Sequence, residues 1–151
     1  MKFFKSKSKK GFGLPISDFK NYYAETVPLL LERYHLFLPA FLERLASEFL
    51  ATGKCAKFTD ADLCEGVSNQ QAFLVLNHCM RIAAARYSNS THIKNADSSG
   101  ARSVSIEIER PCKSCAKVPK NKTYKVGKVP LYPCSDCDQD DICIFWYKIN
   151  F

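Results

Sequence analysis

The 151-residue sequence has no apolar run long enough to span a bilayer. The best stretch, 27–50, is broken by Glu32, Arg33, His35, Glu43, Arg44 and Glu48. Its basic start, Met1-Lys-Phe-Phe-Lys-Ser-Lys-Ser-Lys-Lys10, is not followed by an apolar core and a small-residue cleavage site, so it does not read as a secretory signal. Histidine is scarce: His35, His78 and His92 are scattered. There is no glycine-rich phosphate loop, and no carboxylate pair has a telling spacing. These absences count against a membrane protein, an exported disulfide scaffold and most enzymes. A Cys–His nucleophile built from Cys55, Cys64 or Cys79 with His78 or His92 is an alternative without a motif behind it. The expectation is a non-enzyme in a reducing, cytoplasmic compartment.

What is present is a foldable composition, 46% apolar and 13% aromatic. The formal charge is +7. Four metal-bound thiolates would subtract four and a Zn2+ would add two, leaving about +5. An excess of this size suits a nucleic-acid partner or an anionic protein.

Cysteine is plentiful, eight in all. Four fall as C-x2-C, an eighteen-residue gap, and C-x2-C: Cys112, Cys115, Cys134 and Cys137. Two intervening residues let one turn aim both thiolates at one ion, and two such turns complete a tetrahedron. The gap accommodates a strand out and a strand back. The spacing predicts a closed, structural Zn2+ site. A disulfide pair and an iron–sulfur centre are the competing readings. Cys143, in the apolar last strand, reads as core and as the fallback ligand.

Residues 1–16 read as a basic tail, either solvated or lying on phosphate. Apolar spacing then predicts helices from Phe19 to Val27, from Leu29 to Leu38 behind Pro28, and from Ala40 to Thr52 with Gly53 as its stop. A short helix within 58–66, capped by Thr59 or Asp60, is followed by a turn. A long helix runs from Asn69 or Gln70 to about Tyr87, capped by Ser68, with Ala72, Val75 or Leu76, Cys79, and Ile82 or Ala83 inward. Thr91–Asn95 reads as a short strand, and 102–109 alternates with Val104, Ile106 and Ile108 on one face.

Short helix, turn, long helix and hairpin resemble a winged helix-turn-helix domain over roughly 39–110. The resemblance implies DNA binding, with the long helix in the major groove. Asn69, Gln70 and Gln71 then lie where base edges are met, followed by Asn77, His78, Arg81 and Arg86. Phe73 and Leu74 fit a reading helix poorly, since one of them must face outward.

From Arg110 to Pro133 there is no acidic residue. Lys113, Lys117, Lys120, Lys122 and Lys125 lie around the first cysteine turn and the loop after it, with Tyr124 and Tyr132 interleaved, a composition suited to phosphate contact and stacking. Asp136, Asp138, Asp140 and Asp141 crowd the second turn. The final strand, apolar on both faces, is expected to be central or covered. The two cysteine turns resemble those of zinc ribbons over about 110–151, although Ala116 and Asp138 stand where many ribbons have glycine.

The resulting expectation is an α+β chain: a tail over 1–16, a helical winged domain over 17–110 and a zinc ribbon over 111–151. Its function reads as DNA binding, as a transcriptional regulator. The alternative is a protein-interaction module, a subunit or inhibitor of a larger nucleic-acid-processing complex. No membrane partner is expected, and the oligomeric state is open.

Overall fold

A computed structural model describes residues 19–117, 122–138 and 143–151. The expected tail over 1–16, Lys120, Asp140 and Asp141 lie outside the described residues. The fold is α+β: three α-helices, then a three-stranded antiparallel sheet in a cysteine-rich C-terminal region. The chain divides into two compact units that meet at Ala83 and Ala84, inside the third helix.

The first unit begins with α1, Phe19–Glu32, one continuous helix with Pro28 inside it. The expected break at Pro28 does not occur. Proline removes a backbone donor and crowds the preceding turn. Here that cost is offset by burial of the same turn, with Val27, Leu30 and Leu31 at 0%, 3% and 1% exposure. The chain then turns through His35, whose φ is 53°. Helix α2, Pro39–Thr52, starts with proline at its first turn, where the missing N–H has no intrahelical partner to lose. It stops at Gly53, whose φ of 71° lets its N–H donate to the Phe49 carbonyl. Phe41, Leu45 and Phe49, spaced by four, are its fully buried residues.

A single turn of 3-10 helix, Asp60–Asp62, follows where a short helix was expected. Backbone bonds Leu38 N–H to the Asp62 carbonyl (2.8 Å) and Cys64 N–H to the Leu36 carbonyl (2.9 Å) tie it to the start of α2. Helix α3 runs Asn69–Ser98. The Ser68 hydroxyl caps it, accepting from the Gln71 N–H at 3.1 Å. Ala72, Leu76, Cys79, Ile82 and Ala83 are buried, while Val75 is half-buried.

The second unit corrects the wing. Thr91–Asn95 is not a strand, because α3 continues through it. Ser90, Ile93 and Ala96, spaced by three, are buried there, which is a helical and not an alternating pattern. Gly100, φ 82°, ends the run. Strand β1, Ser103–Glu109, has the predicted alternation but not the predicted partner. It is the middle strand of the sheet, flanked by β2, Thr123–Lys125, and β3, Ile144–Asn150. Val104 lies opposite Tyr124 on one side and Ile149 on the other. The strand assigned to the wing therefore belongs to the same sheet as the chain beyond the cysteines. Of the expected central or covered position, the central one does not hold: β3 is an edge strand, with Trp146 half exposed.

Candidate metal centre

Two turns and the entry to β3 build the centre. The first turn leaves β1 through Arg110, whose φ of 48° swings the chain towards Cys112. The Ala116 N–H donates to the Cys112 carbonyl (2.8 Å), closing the loop around Cys115. In the second turn the Cys137 N–H donates to the Cys134 carbonyl at 3.0 Å. Ser114 joins the two turns, its hydroxyl donating to the Asp136 carboxylate at 2.7 Å. Ala116 and Asp138, which follow the second cysteine of each turn, need no glycine: among the described residues the non-glycine positive φ values are those of His35 and Arg110.

The thiol sulfurs of Cys112, Cys115, Cys137 and Cys143 lie within 4.8 Å of one another, and all four residues are buried. Cys112 to Cys137 is 3.9 Å and Cys137 to Cys143 is 3.7 Å. A tetrahedron with metal–sulfur bonds of about 2.3 Å has edges of about 3.8 Å, so these separations match one ion at its centre. A disulfide needs sulfurs about 2.05 Å apart, and none of the eight cysteines is joined in one. Soft thiolates select thiophilic ions over hard cations.

Thiolates without a cation repel one another and lose hydration here. Burial pushes the Cys115 thiol well above its ordinary value, and pushes Cys143 up to about 11. Cys112 differs. Burial raises it as well, but backbone N–H groups of Cys115 and Asp138 outweigh burial and bring it below its ordinary value. The Cys115 N–H lies 3.4 Å from the Cys112 sulfur. The Cys112 N–H in turn donates to the Cys143 sulfur at 3.1 Å. Amides aimed at sulfur are what a metal-binding thiolate needs.

The cluster differs from the expected ligand set at one position. Cys112, Cys115 and Cys137 are in it, and Cys143 takes the fourth place. Cys134 is half-buried beside it, its thiol 3.6 Å from the Ser114 carbonyl oxygen. The apolar run after Cys143 made it look like core. It stands one residue before the first paired residue of β3, where the chain still faces the turns.

The residues expected to meet nucleic acid are dispersed. Gln70, Gln71, Asn77 and Arg81 are exposed on α3, His78 is half-buried, and Asn69 donates from its side-chain amide to Asp60. Phe73 and Leu74 are 55% and 59% exposed on the same helix, so both face outward. Arg86 does not point outward as a reader. Its guanidinium donates to the Leu131 and Pro133 carbonyls at 3.1 and 2.7 Å. Lys113, Lys117, Lys122 and Lys125 are exposed. The Lys122 ammonium sits 5.1 Å above the Tyr124 ring.

Compared with models of protein families, with curated proteins and with solved structures, the chain gives no match. No described helix is long and apolar enough to cross a membrane.

Proposed function

We propose that this is a non-enzymatic DNA-binding protein, of the kind that regulates transcription, built around one structural Zn2+. The observation that carries the reading is the buried four-thiol cluster set among exposed lysines. Zn2+ is the ion most suited to a closed, buried set of four cysteines. When bound it supplies cross-linking and charge neutralisation. Cys112, Cys115, Cys137 and Cys143 would hold it. With no open position for substrate, such a site stabilises structure. Arg110, Lys113, Lys117, Lys122, Lys125 and Lys128 then give a rigid basic surface with no acidic residue from 110 to 133. That pattern suits phosphate contact. Any sequence selection would come from Gln70, Asn77 and Arg81 on the exposed side of α3.

A second reading is favoured by Phe73 and Leu74. Two large apolar side chains exposed in the first turns of α3 suit a protein partner more than a DNA groove. The protein would then be a subunit or inhibitor of a larger assembly. A salt titration with duplex DNA separates the two. Binding through the lysines weakens log-linearly, with a slope of about −0.9 per phosphate contacted. Absence of DNA binding at low salt overturns the first reading. Retention of a protein partner that is lost on Phe73→Ser with Leu74→Ser supports the second.

A further inference from the structure

A fifth thiol, that of Cys134, stands beside the four that cluster. Cys134 shares its turn with Cys137, and its thiol lies 3.6 Å from the carbonyl oxygen of Ser114, the residue before Cys115 in the buried set. The other four are buried, whereas Cys134 is reached by solvent. A tetrahedral ion uses four thiolates, so one of the five is always spare.

We propose that Cys134 and Cys143 alternate as the fourth ligand of one ion held permanently by Cys112, Cys115 and Cys137. This rests on the proposal above that the cluster holds a metal ion. In the exchange a bond from the ion to the Cys143 sulfur breaks as one to the Cys134 sulfur forms. The proton released by the incoming thiol passes to the departing thiolate. No electron moves, and the charge of the centre is unchanged. The incoming sulfur would have only a short way to travel, since Cys134 shares a turn with Cys137 and lies against Ser114 in the other turn.

The two ligand sets differ in what they fasten. With Cys134 bound, the ion closes the two C-x2-C turns on each other, the pattern legible in the sequence. With Cys143 bound, it also fastens the start of β3, because Ile144 is the first residue paired with β1. The exchange therefore switches the anchorage of an edge strand while the ion stays in place.

The test uses the full chain loaded with zinc, and with cobalt as a spectroscopic substitute. The unmutated protein is expected to bind one ion per chain. Cys134→Ser and Cys143→Ser should each retain one ion with a four-thiolate cobalt spectrum, while the double variant falls to a three-thiolate spectrum. Loss of the four-thiolate spectrum in either single variant overturns the exchange, as do two ions per unmutated chain. An unmutated chain that binds no zinc overturns the metal reading itself. A measurement without substitutions guards against misfolded variants. Brief N-ethylmaleimide treatment of the zinc-loaded protein, read by peptide mass, should label the half-buried Cys55 and Cys64 and, at the centre, both Cys134 and Cys143. At the centre, label on one of the two alone overturns the proposal.

Discussion

The Arg86 guanidinium donates to the carbonyl oxygen of Pro133 at 2.7 Å, one residue before Cys134. A second bond reaches the Leu131 carbonyl, and Asn89, one turn further along α3, donates to the Tyr132 carbonyl at 2.6 Å. From the other side the Tyr147 hydroxyl of β3 accepts the Tyr132 N–H at 2.8 Å and donates to the Pro130 carbonyl at 3.0 Å. Residues 130–133 lack a regular ladder, so side chains from a helix and a strand satisfy their backbone groups. The second cysteine turn is delivered by this framework.

Arg86→Ala should therefore destabilise the zinc-loaded chain by about 2 kcal/mol, the scale of charge-assisted bonds to partly buried carbonyls. Both bonds leave one guanidinium nitrogen, and lysine should recover only part of them, because its ammonium is more strongly hydrated and sits on a more flexible stem. Denaturant melts check this, with the exposed Lys94→Ala as the neutral control. An Arg86→Ala loss no larger than that control would return Arg86 to the candidates for DNA contact.

Cys115→Ser removes a thiol common to both ligand sets. Binding of structural zinc is worth on the order of 10 kcal/mol in small metal-dependent folds, and here it is folding energy for the sheet and its turns. The variant should lose bound zinc and amide protection in β1, while α1 and α2, whose core is Phe41, Leu45 and Phe49, keep their helical signal. Hydrogen exchange and elemental analysis read both. A chelator should have the same effect on the unmutated chain.

The sequence made periodic features legible and partners obscure. The inward face of α3 and the alternation of β1 were readable because 3.6 and 2.0 residue periods sort side chains by depth. The start of α3 was readable from Ser68, whose hydroxyl has few better uses than capping. What pairs with β1 was not readable. A strand carries its own alternation but no address for its neighbour, and the nearer candidate at 91–95 was preferred over β3, some forty residues away. Pro28 misled because its local cost is visible in sequence and the burial that outweighs it is not. The same limit applies to the cysteines. C-x2-C spacing announces a turn, so Cys112, Cys115 and Cys137 were found. Cys143, legible only as a fallback ligand, has no partner at a telling distance in the chain, and the fold brings it to the cluster.

Gly53→Ala should cost about 1 kcal/mol. A β-carbon at Gly53 meets the Phe19 ring at 2.8 Å, and the φ of 71° is left-handed. Phe19 is 44% exposed and its ring can swing away, so backbone strain dominates the cost. Two results check that division. Gly53→Asn should cost less than alanine, since asparagine tolerates this conformation. Adding Phe19→Ala to Gly53→Ala should not restore stability. Rescue by the smaller side chain would show that the clash dominates.

Asp62 makes the first unit pH-sensitive. Its carboxylate accepts both Arg44 guanidinium nitrogens, at 3.0 and 2.8 Å, and the Thr59 N–H at 2.8 Å. The bond to Arg44 first, and then that to Thr59, hold it below the usual carboxylate range. A carboxylate near 3.9 in the unfolded chain and lower in the folded one binds more protons when unfolded. Its stabilisation is thus complete above about pH 5 and fades as pH falls through the folded value. Arg44 is half exposed, so solvent screens the pair, and the pair and the turn bond together are worth about 1 kcal/mol. Asp62→Asn should lie below the unmutated chain by that amount at neutral pH, and the gap should narrow as pH falls below the unfolded carboxylate value. Denaturant melts followed by helical circular dichroism give the comparison. Loss of zinc at low pH affects both chains alike and cancels in the difference. A gap that persists unchanged to pH 3 would assign the stabilisation to neutral hydrogen bonds and not to the charge on Asp62.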